Sequence, residues 1–244
     1  MTTVLVIAKE PVPGRVKTRL TPPFTPVEAA RLAEAALADT LDVVARVPAR
    51  RRVLVLAGRP GPWLPPGFEV TAQAGGGLDA RIAAAFAACT GPALLIGMDT
   101  PQVTPGLLEP ALRQGEEHDA WFGPAADGGF WALGLRVPDP ALVLGVPMST
   151  PDTGAAQYAR LRAAGLRVGE LPVLRDVDTA EDAAYVAALA GGTRFASVHA
   201  ELTAAQVAAQ MAATPVAVTG AAVGAGRPVP GAAVSGASVP GAAG

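Results

Sequence analysis

The sequence predicts a three-layer α/β protein, in which a mostly parallel, mixed sheet lies between helices on both of its faces. Short apolar runs at residues 3–8 and 92–97 have the continuous hydrophobicity of strands that are buried on both faces. Segments with apolar residues at helical spacing separate these runs, and Gly- and Pro-rich turns lie between them. Strands and helices that alternate in this way form a sheet with helices on both faces.

Each element has a local signal. Thr25 can cap a helix, Pro26 suits its first position and Glu28 completes a capping box, so a helix starts here and ends before Pro48. Further helices are predicted at 78–89, 104–114, 152–164 and 180–190, and one more over 201–213. Further strands are predicted at 52–57, 68–72, 119–123, 129–135 and 167–171. The strand that contains Trp131 follows the previous strand closely, so we expect it to be antiparallel.

The length of 244 residues is enough for one medium α/β domain with a sizeable core. We assign residues 1–192 to this domain and 193–213 to a C-terminal helical extension. Residues 214–244 carry a single charge, Arg227, and consist otherwise of small, apolar and hydroxyl residues. This composition predicts a disordered tail.

The composition argues against several classes of function. The net charge is −2 and aromatic residues make up 5%, so neither a basic field nor a stacking platform for nucleic acid is expected. The single cysteine, Cys89, cannot form an internal disulfide or a cysteine metal cage, and we expect it in the core. The histidines His118 and His199 lie away from the motifs below, which leaves a Ser-His triad unsupported.

Neither a signal peptide nor an apolar run of about 20 residues is visible in the sequence. We therefore expect a cytoplasmic protein without a membrane span. The sequence leaves the oligomeric state open.

A basic loop directly follows the first strand. Ligands of open α/β sheets bind at the carboxyl ends of the strands, so cations placed here would face an anion such as a di- or triphosphate. A solvated basic loop is the alternative. The loop is not a Walker A motif, because Val16 rather than glycine precedes Lys17, and it lacks the dinucleotide fingerprint. Its cations and its turn residue are Lys9, Gly14, Arg15, Lys17 and Arg19.

Three acidic residues stand at strand ends or in turns. Asp99 follows the fourth strand, Asp127 precedes two glycines, and Asp178 precedes a helix. If the first and fourth strands are parallel neighbours, Asp99 emerges at the same edge of the sheet as Lys17. Carboxylates opposite a basic loop suit a divalent cation that bridges them to phosphate. Turn formation at Asp99 and Asp127, and helix capping at Asp178, are the local alternatives.

Four motifs occur in an order that resembles the rSAM/selenodomain-associated transferase 1 family, whose members are often described as glycosyltransferases. The motifs are residues 8–20, 97–101, 123–135 and 176–182, and the resemblance spans roughly residues 3–190. This family resembles the nucleotide-diphospho-sugar transferases, which have a GT-A type Rossmann-like fold. It is also similar to the 2-phospho-lactate guanylyltransferases, which carry a Lys-(Ser/Thr)-Arg-Leu loop and a strand that ends in Asp-x-Pro.

The resemblance implies roles for individual residues. Lys17 and Arg19 would hold the donor phosphates, and Asp99 would hold Mg²⁺ or Mn²⁺. Asp99-Thr-Pro lacks the second carboxylate of an Asp-x-Asp motif, so the second ligand would be Asp178, with Asp127 or the substrate as alternatives. Asp127 and its glycines would border the acceptor or the metal. The full phosphate-binding set would be Lys9, Gly14, Arg15, Lys17, Thr18 and Arg19, and the catalytic set Lys17, Asp99 and Asp127.

The predicted function is therefore a metal-dependent transferase that uses a nucleotide-activated donor and an unidentified small-molecule acceptor. The family resemblance favours glycosyl transfer from a nucleotide-diphospho-sugar. The Lys-Thr-Arg-Leu loop favours nucleotidyl transfer from a nucleoside triphosphate. A non-catalytic nucleotide-binding module is a third hypothesis, motivated by the incomplete metal motif.

Overall fold

The computed structural model of the protein describes residues 1–113 and 117–213, and the predicted tail at 214–244 lies outside the described residues. Within this part of the chain, seven strands form one sheet. They are β1 (Thr3–Lys9), β2 (Arg51–Ala57), β3 (Glu69–Ala72), β4 (Ala93–Ile96), β5 (Ala120–Pro124), β6 (Phe130–Leu135) and β7 (Val168–Glu170). Their order across the sheet is β3-β2-β1-β4-β6-β5-β7.

The pairing of the strands confirms the predicted mixed sheet. β6 is antiparallel to both of its neighbours, β4 and β5, as expected for the strand that contains Trp131. The other neighbouring strands pair in parallel. Because β1 and β4 are parallel neighbours, with Val6 opposite Ile96, the loops that follow them leave the sheet at the same edge.

The described chain also contains six α-helices. They are α1 (Pro26–Arg46), α2 (Leu78–Ala87), α3 (Pro105–Leu112), α4 (Thr153–Ala163), α5 (Ala180–Leu189) and α6 (Arg194–Ala213). The strands and the first five helices end within two residues of their predicted bounds. The predicted end of α3 at Gln114 lies outside the described residues. The capping box at Thr25 and Glu28 is formed as predicted, with both of its hydrogen bonds present.

Two core clusters lie on opposite faces of the sheet and give the three layers. On one face, Val4 and Val6 of β1 pack with residues of α1 and α3. On the other face, Leu5 packs with residues of α2 and α4, because successive side chains of a strand point to opposite faces. Cys89 is half-buried against this second cluster.

The last helix begins earlier than its sequence pattern indicates. The pattern starts at Glu201, whereas α6 begins at Arg194. The carboxylate of Asp39 on α1 accepts the backbone N–H groups of Arg194 at 3.1 Å and Phe195 at 2.8 Å. Phe195 is fully buried in a third cluster between α1, α5 and α6. The added turns of α6 therefore depend on a contact with α1. The division of the chain into a domain at 1–192 and a helical extension at 193–213 stays a prediction.

None of the helices within residues 1–113 and 117–213 combines the length and the apolar character that crossing a bilayer requires.

Candidate functional site

The centre of the site is the buried ammonium group of Lys17. Its Nζ atom lies 2.8 Å from Oδ1 of Asp99 and 3.1 Å from Oδ1 of Asp178, and the Lys17 side chain is only 8% exposed. Burial alone would lower the pKa of Lys17, but the two carboxylates outweigh burial and raise it above its ordinary value. The ammonium is therefore charged at neutral pH and fixed between two acidic motifs.

The basic loop holds Lys17 in an unusual backbone conformation. Lys17 has φ 49° and ψ 41°, which is the left-handed region. This region costs a non-glycine residue about 1–2 kcal/mol and persists where the surroundings determine it. Val16 and Leu20, on either side, are buried in the core and anchor the loop there. The loop therefore directs Lys17 inward, while Arg15, Thr18 and Arg19 face solvent.

The two acidic motifs are joined through their backbones. The N–H of Val177 donates to the carbonyl of Asp99 at 2.9 Å. The side-chain amide of Gln102 donates to the carbonyl of Arg175 at 2.7 Å. Val177 is 1% exposed, so its side chain also fixes this segment against the core. The loop after β4 and the segment before α5 therefore form one unit at the carboxyl edge of the sheet.

Asp176 is a site residue that the sequence analysis did not identify. The pKa of Asp176 is raised to about 7, first by burial and then by the negative charges of Asp99 and Asp127. Asp178 acts in the same direction, whereas the charge of Lys17 lowers this pKa. The spacing of Asp176 and Asp178 is the signal that could have identified it, because positions i and i+2 of an extended segment share a side.

The side chains of Asp99, Asp176 and Asp178 form a carboxylate cluster. Asp127 lies at the rim of this cluster and shapes a glycine turn. Its Oδ1 atom accepts the N–H of Gly129 at 2.8 Å, and its side chain is exposed. Asp127 therefore forms the turn that was predicted as its local alternative. Its negative charge also raises the pKa of Asp176. Gly128 has φ 89°, and its carbonyl accepts the N–H of Gly154 at 2.7 Å, which fixes the turn against the start of α4.

The other predicted phosphate ligands are exposed on the surface. Arg19 is 75% exposed and lies 3.5 Å from Oδ2 of Asp178. The backbone N–H of Lys9 contacts Sδ of Met98 at 3.2 Å, which brings the end of β1 beside the loop of Asp99. In the part of the chain that the structure describes, the side chains of Arg15 and Thr18 stay outside the carboxylate cluster. The exposed residues of this set are Lys9, Gly14, Arg15, Thr18 and Arg19.

The site fits a divalent cation that binds together with phosphate, whose oxygen atoms complete the coordination of the metal. Carboxylate oxygens are ligands that Mg²⁺ and Mn²⁺ accept, and the negative charges of Asp99 and Asp178 together exceed the positive charge of Lys17. Within residues 1–113 and 117–213, however, no three His, Cys, Asp or Glu side chains are grouped to hold an ion. A cation here would combine one or two carboxylates with phosphate oxygens, as Mg²⁺ commonly does.

A glycine loop after β3 borders the same edge. Gly76 has φ 94°, and its carbonyl accepts a hydrogen bond from Nε of Arg81 at 3.0 Å. The side-chain amide of Gln73 donates to the carbonyl of Ala8 in β1 at 2.7 Å. The ends of β1, β3 and β4 therefore line one continuous edge, with the cations and the carboxylates at its centre.

Comparison with solved structures shows relatives of this fold. The chain is similar to a candidate nucleotide-diphospho-sugar transferase from Desulfovibrio desulfuricans G20, with 28% identity and a TM-score of 0.73 over 86% of this chain and 98% of that chain. It also resembles CMP:2-keto-3-deoxy-manno-octonic acid synthetase complexed with CTP, with 13% identity and a TM-score of 0.50 over 78% of this chain and 98% of that chain. The second likeness shows the fold alone.

The fold predicted from the sequence, a Rossmann-like fold of the GT-A type, is confirmed by these structures. No curated protein matches the sequence. Residues 30–150 match the model of the family described as "Uncharacterized protein conserved in bacteria (DUF2064)", and this is the family that the chain resembles in sequence.

Proposed function

We propose that this protein is a divalent-metal-dependent transferase that acts on a nucleotide-activated donor. The observation that carries the proposal is the contact of Lys17 with both Asp99 and Asp178 at the carboxyl edge of β1 and β4. Open α/β sheets bind their ligands at this edge. A buried cation between two carboxylates, with the exposed cations Arg15 and Arg19 on the same loop, suits a diphosphate and its metal ion.

The residues divide into two groups by charge. The exposed cations Lys9, Arg15 and Arg19 would bind the donor phosphates from the solvent side. Asp99 and Asp178 would hold the cation, which supplies neutralisation of the phosphate charge and favours departure of the leaving group. Lys17 lies between the two groups, where its ammonium can stabilise negative charge that develops on the leaving oxygen. Asp127, exposed at the rim, is assigned to the acceptor side.

Glycosyl transfer from a nucleotide-diphospho-sugar is the first candidate reaction. The match to the solved structure from Desulfovibrio desulfuricans G20 covers 86% of this chain and 98% of that chain, and that protein is described as a candidate transferase of this class. In this reaction the bond between the sugar and the nucleoside diphosphate breaks, and the diphosphate leaves with the electron pair. The acceptor oxygen forms the new bond to the sugar, and its proton passes to the departing diphosphate or to water.

A thermal-shift series with the full chain tests the proposal. Nucleotide-diphospho-sugars, nucleoside diphosphates and nucleoside triphosphates would each be added with and without Mn²⁺. Ligands that bind only the folded state raise Tm, so we expect a rise for at least one nucleotide that is larger with Mn²⁺. Asp99→Asn should abolish the Mn²⁺-dependent part. The control is Asp42→Asn, a change of the same type on α1 outside the cluster.

Nucleotidyl transfer is the second candidate, because residues 17–20 have the Lys-Thr-Arg-Leu pattern. The product separates the two reactions, since glycosyl transfer releases a nucleoside diphosphate and nucleotidyl transfer releases pyrophosphate. Binding without turnover of any donor would support a non-catalytic nucleotide-binding module. Tm values that do not change across the whole series would contradict a nucleotide site of any kind.

A further inference from the structure

We propose that Lys17 and the divalent cation use the same pair of carboxylates in turn. In the resting protein, the ammonium of Lys17 holds Asp99 and Asp178. When a cation binds together with phosphate, Lys17 leaves the carboxylates and donates to the phosphate instead. This inference rests on the proposed function, because it describes how the same site receives a metal–phosphate complex rather than a free ion.

The Lys17 ammonium contacts both of the predicted metal ligands, Asp99 and Asp178. The distances of 2.8 Å and 3.1 Å from Nζ to the two Oδ1 atoms mean that these oxygens lie at most 5.9 Å apart, the sum of the two distances. The Lys17 side chain is 8% exposed, whereas the carboxylates of Asp99 and Asp178 are 38% and 30% exposed. An incoming ion can therefore reach the carboxylates from solvent, and the ammonium lies behind them.

A free cation should bind weakly under these conditions. Lys17 already neutralises part of the charge on Asp99 and Asp178, and it would repel a second positive charge at this distance. The described residues also lack a third grouped ligand for an ion. Binding of a bare ion must therefore break both lysine contacts and leave the buried ammonium without a partner, which is unfavourable.

Phosphate removes this obstacle. It supplies oxygen ligands to the cation and gives the Lys17 ammonium a new anionic partner. Lysine has a flexible four-carbon stem with three rotatable donors, so Nζ can change partners while the backbone stays in place. Arg19, 3.5 Å from Asp178, can hold the same phosphate. Cation and phosphate should therefore strengthen the binding of each other, by the same factor in both directions.

Binding of Mn²⁺ alone, measured by titration calorimetry, tests the exchange. Lys17→Met removes the ammonium but keeps an unbranched side chain, so we expect Mn²⁺ to bind this variant at least tenfold more tightly than the wild type. Lys17→Arg keeps the charge and should bind Mn²⁺ as weakly as the wild type. The control, Arg46→Met, removes an exposed cation at the far end of α1 and should leave Mn²⁺ affinity unchanged.

Inorganic pyrophosphate is the second probe. It should tighten Mn²⁺ binding at least tenfold in the wild type and clearly less in Lys17→Met, because the exchange is the source of the coupling. Equal Mn²⁺ affinities in the wild type and Lys17→Met would overturn the proposal, and so would a failure of both to bind Mn²⁺.

A measurement on the wild type avoids dependence on variants that fail to fold. Acetylation of Lys17 by acetic anhydride can be followed by mass spectrometry. The rate should be low for the protein alone, rise severalfold at saturating Mn²⁺ and fall again when pyrophosphate is added. An unchanged rate would overturn the exchange. Neither probe is a nucleotide, so the exchange can fail while the nucleotide thermal shifts succeed, and the reverse outcome is equally visible.

Discussion

The backbone N–H of Val177 donates to the carbonyl of Asp99 at 2.9 Å, and this bond joins the two acidic motifs of the site. The backbone segments that carry Asp99 and Asp178 are thereby held together. Positioning of this kind is what transfer of an activated group requires, because small displacements of catalytic groups reduce rates strongly. The residues that maintain the junction should therefore affect binding as well as stability.

Gln102 is the first such residue. Its amide donates to the carbonyl of Arg175 at 2.7 Å, and Gln102→Leu would leave that carbonyl without this donor. We expect the free energy of unfolding to fall by about 1–2 kcal/mol. We also expect the Mn²⁺-dependent nucleotide shift to weaken, because Asp176 and Asp178 would be held less firmly. Urea unfolding and the thermal-shift series measure the two effects.

The control for this variant is Gln206→Leu on α6. Gln206 is half-buried, and its amide donates a solvent-exposed hydrogen bond to the carbonyl of Pro23 at 3.2 Å. Its loss should change the free energy of unfolding by no more than about 0.5 kcal/mol, as is usual at the surface. Equal nucleotide shifts in Gln102→Leu and the wild type would show that the contact with Arg175 does not position the acidic segment.

Gly128 should be intolerant of any side chain. A Cβ atom there would lie 2.0 Å from the carbonyl oxygen of Pro151, and the residue has φ 89°. Gly145 has a similar φ of 81°, but a Cβ atom there meets nothing within 4 Å. Gly145→Ala should therefore lose only the conformational term of about 1–2 kcal/mol. Gly128→Ala should lose clearly more, because the turn must also move away from α4.

Measuring the free energies of unfolding of Gly128→Ala and Gly145→Ala side by side distinguishes the steric cost of an added Cβ atom from the cost of the backbone conformation. The Asp127 turn borders the carboxylate cluster, so Gly128→Ala should also impair nucleotide binding, while Gly145→Ala should not. Equal destabilisation of the two variants would mean that the contact between the Gly128 turn and Pro151 is easily relieved.

Asp39 should be required for the first turn of α6. Its carboxylate accepts two backbone N–H groups, those of Arg194 and Phe195, and its side chain is 9% exposed. Asp39→Ala should lower the free energy of unfolding by about 2 kcal/mol, which is the upper range for a lost helix cap. Hydrogen exchange at the start of α6 should accelerate in parallel.

Asp42 offers a matched control one helical turn further along α1. It contacts Arg194 through the side chain alone, at 2.6 Å, and is 38% exposed. Asp42→Ala should cost no more than about 1 kcal/mol, as is typical of exposed ion pairs. Similar losses for Asp39→Ala and Asp42→Ala would indicate that the ion pairs with Arg194, and not the cap, hold α6.

Asp119 should make the protein sensitive to acid. The side chain and backbone of Arg167 donate to this carboxylate, at 2.8 Å and 3.1 Å, and together with Arg136 they hold its pKa well below the ordinary value. A lowered pKa in the folded state contributes stability above the ordinary pKa near 4, and that contribution is lost as pH falls further. Asp119→Asn should therefore be less stable than the wild type at pH 7.

The difference between the wild type and Asp119→Asn should shrink as the pH is lowered from 5 towards 2. Urea unfolding at several pH values measures it. A gap that stays constant across this range would show that Asp119 stabilises the protein by packing and neutral hydrogen bonds, and not by its charge.

Much of the fold could be predicted because its signals are local. Thr25 and Glu28 mark the start of α1 through a capping box, and continuous apolar runs mark the strands. The start of α6 could not be predicted, because Asp39 caps it from another helix and no pattern near Arg194 records that contact. Asp176 was missed for a related reason, since its burial depends on how its segment packs against the loop of Asp99.

The sequence by itself determined the α/β class, the order of elements and the identity of Lys17, Asp99 and Asp178 as candidates, since strand ends and charged loops can be recognised locally. It assigned the lysine to phosphate and the aspartates to metal. Only the tertiary structure decided that the Lys17 ammonium contacts both Asp99 and Asp178. The reason is physical: a buried ammonium requires anionic partners, and the parallel pairing of β1 with β4 and the Val177–Asp99 bond bring Asp99 and Asp178 to it.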